Sequence, residues 1–183
     1  MRLFQNKKPS TPSASEIVCQ ELRSRFQLNI PLNIQPLYWR LFLIEKNKKS
    51  DLSNKQMIYM GNAIIRTVTT EWVFEEYPYS DEGDLTELRV LLCNQNQIKI
   101  FEKKLQLSSI AQKLTSSTSI KHFMEGKLIK LLMSRLFLDF GYNPSQVFYI
   151  QHVLNAFVDK SKLEKSMPPH KASGFGFVAP HFI

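Results

Sequence analysis

Cationic side chains are the residues in this sequence whose type and spacing could do chemistry, and they gather at four places. Arg2, Lys7 and Lys8 stand near the N-terminus, Lys46, Lys48 and Lys49 in a short polar run, and Lys160, Lys162, Lys165 and Lys171 toward the C-terminus. Lys127, Lys130 and Ser134 are spaced by three and four, which lines them up as one stripe on a helix. Ammonium and guanidinium groups neutralise phosphates and release condensed counterions, so these clusters suit a polyanion such as RNA. The balance of the whole chain agrees, with Lys+Arg 24 against Asp+Glu 16 giving a net charge of +8. A basic balance marks a partner class and not a mechanism, and surface solubility produces the same number. For the stripe, the bland alternative is two lysines snorkelling at the surface.

Metal and redox chemistry find less support. Cys19 and Cys93 form no C-x-x-C pair and have no metal-ligand spacing with the four histidines, so they read as small buried apolar groups in a reducing compartment. No metal and no cofactor are expected. No apolar run approaches the ~18 residues that cross a bilayer, so no membrane partner is expected.

The elements that must position these groups read as helices. Hydrophobic residues at 43% and charged residues at 22% are globular values, and 183 residues suffice for one domain with a sizeable core plus tails. Gly is scarce and strand-like alternation rare, so an all-α domain is expected. A first helix begins near Ser13 and Glu16, at capping-box spacing, with Ile17, Leu22 and Phe26 on its apolar side. "IQPLYWRLFLIEK" reads as a second, with Pro36 in its first turn, and "KNKKSD" as a basic loop. Over 54–77, Met57, Met60, Ile64, Val68 and Trp72 fall on one helical face, and Pro78 and Gly83 end the run.

Farther on, "LTELRVLLCN" and "QIKIFEKKLQL" read as short helices and "SSIAQKLTSSTS" as a polar connection. Between Leu128 and Leu138 almost every position is apolar, which predicts a central helix buried nearly all round. Asn143 as cap and Pro144 at the first position open the last helix, whose buried face is Val147, Ile150, Leu154 and Phe157. Beyond it lies a basic stretch without periodicity, whose Phe175, Phe177 and Phe182 suit docking into a partner. The N-terminal residues 1–15 are basic and rich in Ser and Pro, which fits an organellar presequence and a plain basic tail equally well.

Two motifs then carry a resemblance. "NKQMIYMGNAII" and "DEGDLTELRVLLCN" resemble, in order and separation, the signature helix and the downstream D-E-G-x-L-T-x-L-R element of the ribonuclease III domain family. "KLIKLLMSRLFLDFG" is similar to a third family element, with Leu138, Asp139 and Gly141 at its end. The resemblance implies an all-α ribonuclease III-type domain over 15–160, between a basic extension at 1–14 and a basic, aromatic extension at 161–183.

The family cuts double-stranded RNA with divalent metals held by four carboxylates, and the matching positions here are Ile58, Asn62, Lys127 and Lys130. Lys55 also replaces an acid flanking the first helix, and Glu125 is reached only if the alignment slips. Four negative charges exchanged for two positive ones repel cations. A protein without nuclease activity, which dimerises and binds RNA through the ten Arg and Lys residues of the tails and loop, is therefore the expectation. The resemblance extends to the small ribonuclease III-like proteins of the mitochondrial large ribosomal subunit. That implies ribosomal RNA, a second ribonuclease III-like chain in a heterodimer, neighbouring ribosomal proteins and a matrix location. The alternative is a non-catalytic subunit of an RNA-processing or RNA-editing complex, paired with an active nuclease.

Overall fold

The computed structural model describes residues 14–26, 48–114 and 126–166, and among them there are helices and no strand. The helices are α1 (Ala14–Phe26), α2 (Lys48–Glu76), α3 (Glu82–Cys93), α4 (Gln95–Lys104), α5 (Leu107–Leu114), α6 (Leu128–Phe140), α7 (Tyr142–Tyr149) and α8 (Lys160–Ser166). Between α7 and α8 the chain runs on through a π-helical turn, Ile150–Leu154, and one short turn, Asn155–Phe157. The all-α expectation is met.

The 29 residues of α2 span about 44 Å, long enough for the other helices to pack along it. Its expected apolar face is the observed one: Ile64, Val68 and Trp72 are buried, and Met57 and Met60 pack half-buried against the same core. The partner across that core is α6, with Leu128, Ile129, Leu131, Leu132, Met133 and Leu136 all buried. Leu22 and Phe26 of α1 close one side, and Phe26 meets Phe148 edge-on at 5.3 Å between ring centroids. Trp72, fully within the core, donates its indole N–H to Asn155 Oδ1 at 2.9 Å.

Local chemistry sets the ends. Asp81 caps α3 by accepting from the Asp84 N–H at 2.9 Å, and Glu82 and Asp84 add negative charge to its first turn. Asn94 ends α3 and caps α4, accepting from the Gln97 N–H at 2.8 Å. No side-chain cap starts α6 from Lys127; instead Glu102 of α4 reaches across and accepts from the Ile129 N–H at 3.2 Å. Gly141, at φ 84, ends α6 in a backbone region that side chains disfavour.

Several expected boundaries move. Lys48 and Lys49 lie in the first turn of α2, not in a loop, because nothing in "KKSDLS" forbids helix and a wholly polar turn carries no apolar periodicity. The expected polar connection from Ser108 starts inside the helix α5. The last helix begins at Tyr142, so Pro144 is its third residue and Asn143 is not the cap. Pro is tolerated there because the first four N–H groups of a helix lack intrahelical acceptors. Lys160–Ser166 forms a short helix where none was expected. The expected helix at "IQPLYWRLFLIEK", Ser13, Arg2, Lys7, Lys8, Lys46, Lys171 and the three tail phenylalanines lie outside the described residues.

Candidate nucleic-acid interface

Helices α2 and α6 meet backbone to backbone at Gly61. A Cβ there would overlap the Lys130 carbonyl and lie 2.8 Å from Ser134 Oγ, so only glycine allows the approach. Ser134, fully buried, donates its hydroxyl to the Met57 carbonyl and lies 3.1 Å from the Lys130 carbonyl. The polar stripe read from the sequence thus faces α2. At its emerging end Lys130 is half-buried and donates Nζ–H to Gln95 Oε1 of α4 at 2.9 Å.

This crossing brings together the four positions singled out by sequence. Ile58 and Asn62, both half-buried, are a turn apart on α2 around Gly61, while Lys127 and Lys130 open α6 opposite them. Ile58 packs, partly buried, against the apolar core. Burial lowers the Lys130 pKa, Arg66 and Lys127 lower it further, and Cys93 and Glu102 act against them. Cys93 lies just behind. Burial raises its pKa, against a Thr69 hydrogen bond and the fields of Arg66, Arg89 and Lys130, so the thiol stays protonated and poorly reactive. The Tyr149 hydroxyl, completely buried beside Cys93 and Thr69, is likewise held protonated by burial.

The result is a positive surface on a polar floor: Lys130, Lys127, Arg66 and Arg89, with Asn62 and Gln95 offering amides. Sequence reasoning missed Arg66, Arg89, Gln95 and Glu102. Arg66 was findable, four residues after Asn62 and so on the same helical face. Gln95 and Glu102 come from another helix, and no spacing rule connects them to Lys130.

A divalent ion of the kind the family uses needs several anionic oxygens. One amide oxygen, an isoleucine and two ammoniums beside Arg66 do not fit it. Glu125 lies outside the described residues.

The remaining candidate lysines are placed elsewhere. Lys160 Nζ pairs with Glu76 at the end of α2 and stands 5.7 Å from the Trp72 ring centroid. Lys162 pairs with Asp159 at 3.3 Å. Lys48 and Lys49 are at the far end of α2, and Lys165 is on α8. The Lys160 and Lys162 side chains are therefore engaged away from Lys127 and Lys130.

Residues 55–135, which include the α2–α6 crossing, match the Ribonuclease III domain. The curated relatives named Ribonuclease 3 include that of Bacteroides thetaiotaomicron, 23% identical over 137 residues, which are 75% of this chain and 44% of the relative. Those of Flavobacterium psychrophilum and Chlorobaculum tepidum are 27% and 28% identical over 128 residues, covering 68% and 66% of this chain and 51% and 45% of theirs. The chain thus spans about half the length of the curated relatives it matches. A solved structure of the nuclease domain of ribonuclease III from Campylobacter jejuni, concerned with flexibility in a region involved in dimer formation, shares the fold. It superposes with TM-score 0.59 at 18% identity, over 78% of this chain and 97% of that one.

These names overturn one expectation. The sequence reading denied the chain enzyme activity on four substituted positions, and the curated relatives are named as nucleases. Four side chains describe the ligands at those positions alone; they do not count every carboxylate that a paired domain or Glu125 could bring, and the denial is withdrawn.

Proposed function

We propose that this ribonuclease III domain binds double-stranded RNA at the α2–α6 crossing, as one half of a pair with a second ribonuclease III-like chain, within the large subunit of the mitochondrial ribosome. The observation that carries this is the crossing itself. Lys127, Lys130 and Arg66 meet there beside two amides. Duplex RNA is recognised through its shape, phosphates and 2′-hydroxyls, and cations with neighbouring amides provide those contacts. Ribosomal RNA is the proposed duplex, and neighbouring ribosomal proteins the further contacts, of the basic extensions at 1–14 and 161–183. Support for the organelle is the basic, Ser- and Pro-rich N-terminal composition.

A second placement is favoured by the relatives' names: an RNA-processing or RNA-editing complex, again beside another ribonuclease III chain. The experiment is titration of the protein with a blunt RNA duplex at several salt concentrations. Each phosphate neutralised contributes about −0.9 to the slope of log K against log salt, so a slope of about −3 or steeper is expected for the crossing. Affinity that does not change with salt, or that is equal for an uncharged polymer, overturns the proposal.

A further inference from the structure

Away from the crossing, two open cavities of about 500 and 530 Å³ adjoin on the side of the domain formed by the ends of α1, α3 and α4, the turns over 150–157 and the start of α8. They share Lys104 and Phe157, so they form one groove. Three unusual features converge on it. The π-helical turn Ile150–Leu154 carries His152 to its wall, and π turns occur frequently at functional sites. Gln106, at its rim, has φ 55, a left-handed conformation rarely held by a residue other than glycine. Lys104 holds its ammonium 5.1 Å from the Phe157 ring centroid and donates to the Phe157 carbonyl at 3.3 Å.

The charges show what the groove accepts. Arg25 is paired with Glu21 and Lys162 with Asp159, so those four charges cancel in two pairs. Lys104 donates to a neutral carbonyl at the groove's centre, and among the described residues it forms no ion pair. Around it are flat, partly apolar surfaces, the rings of Phe157 and His152. Burial lowers the His152 pKa, against a hydrogen bond with the Phe26 backbone, so the ring is neutral near pH 7 and keeps one nitrogen as an acceptor. An anion with a flat ring attached matches both parts.

We infer that this groove binds an unpaired RNA nucleotide, its phosphate on Lys104 and its base between Phe157 and His152. The inference rests on the RNA reading and adds a second contact to it, one that takes the single-stranded extension of a bound duplex.

The test compares a blunt RNA hairpin, the same hairpin with a short uridine tail, and one with an abasic tail, each titrated against the full chain. Stacking of one base is worth roughly 1–3 kcal/mol, so the uridine tail should tighten binding by about tenfold and the abasic tail by much less. Phe157→Leu keeps the packing and removes the flat ring; Lys104→Ser removes an exposed charge. Both should erase most of the tail preference and leave binding of the blunt hairpin unchanged, with circular dichroism confirming the fold. Uridine monophosphate should displace the tail and not the blunt hairpin. Equal affinity for blunt and uridine-tailed RNA overturns the inference, as does an equally effective abasic tail or a preference that survives both substitutions. An acidic peptide that displaces the tail as well as the mononucleotide does makes the groove a protein-docking site and overturns it too. If neither hairpin binds, the RNA reading fails first.

Discussion

Gly61→Ala is the smallest change that tests how the site is built. The new Cβ would overlap the Lys130 carbonyl and reach Ser134 Oγ at 2.8 Å. A hydroxyl can rotate away, but a backbone carbonyl held in the first turn of a helix cannot, so α6 must move off α2. Overpacking of this kind costs typically 1–3 kcal/mol, and a backbone obstacle puts Gly61 at the upper end. Alanine returns about 1 kcal/mol through its better helix propensity. The net loss is about 2 kcal/mol, or a fall of roughly 4–8 °C in Tm for a domain of this size. Thermal unfolding followed by circular dichroism reads it directly. Gly83→Ala is the comparison: its Cβ would lie 3.1 Å from Asp81 Oδ1, a side-chain atom that can shift by a few tenths of an ångström, so its cost should be clearly smaller than that of Gly61→Ala. A Gly61→Ala protein as stable as the parent would refute the close crossing and with it the placement of Lys130.

Lys130→Met should weaken duplex binding and make the salt slope shallower by about one unit, as expected for one lost phosphate contact. Because burial favours the neutral amine, the contribution of Lys130 to RNA affinity should disappear as pH rises through a value below the ordinary 10.5, seen as an alkaline fall that Lys130→Met lacks. His152, whose pKa is lowered, takes up its proton more readily in the unfolded chain. Stability should therefore be full above about 6.5 and decline as pH drops from there through the folded-state value, a decline that His152→Gln reduces in pH-dependent melting. The Arg135–Asp139 pair, with side chains 6% and 13% exposed, should lose up to roughly 3–5 kcal/mol when Asp139→Ala removes the carboxylate that this buried guanidinium pairs with. The double change Arg135→Met with Asp139→Leu should cost clearly less in denaturant unfolding, and equal costs would refute the pairing.

How far the sequence reached depended on whether a feature was local. The apolar face of α2, the buried length of α6 and the ends at Pro78 and Gly141 follow from spacing and from single residues, and all were legible. Lys48 and Lys49 were misplaced because a polar helical turn carries no apolar periodicity to report it. The start of α7 was missed because Asn143–Pro144 is a strong local signal that the Gly141 turn pre-empts. Lys127, Lys130 and Ser134 were recognised as a stripe, but that the stripe abuts Gly61 could not be known before α2 and α6 were in contact. Gln95, which fixes Lys130, and Glu102, which caps α6, act across tertiary space. The groove at Lys104 and Phe157 joins residues from opposite ends of the domain, and neither the π turn nor the left-handed Gln106 has a sequence signature.

The central claim is a place on RNA within the mitochondrial large ribosomal subunit, and sedimentation tests it most directly. Tagged full-length protein from an organellar extract should migrate with the large subunit on a gradient and leave that fraction after nuclease treatment. It should also be released by raised salt, and a second ribonuclease III-like chain should travel with it throughout. Sedimentation as a small species unaffected by nuclease, or solely with a complex that contains no ribosomal RNA, would contradict the claim.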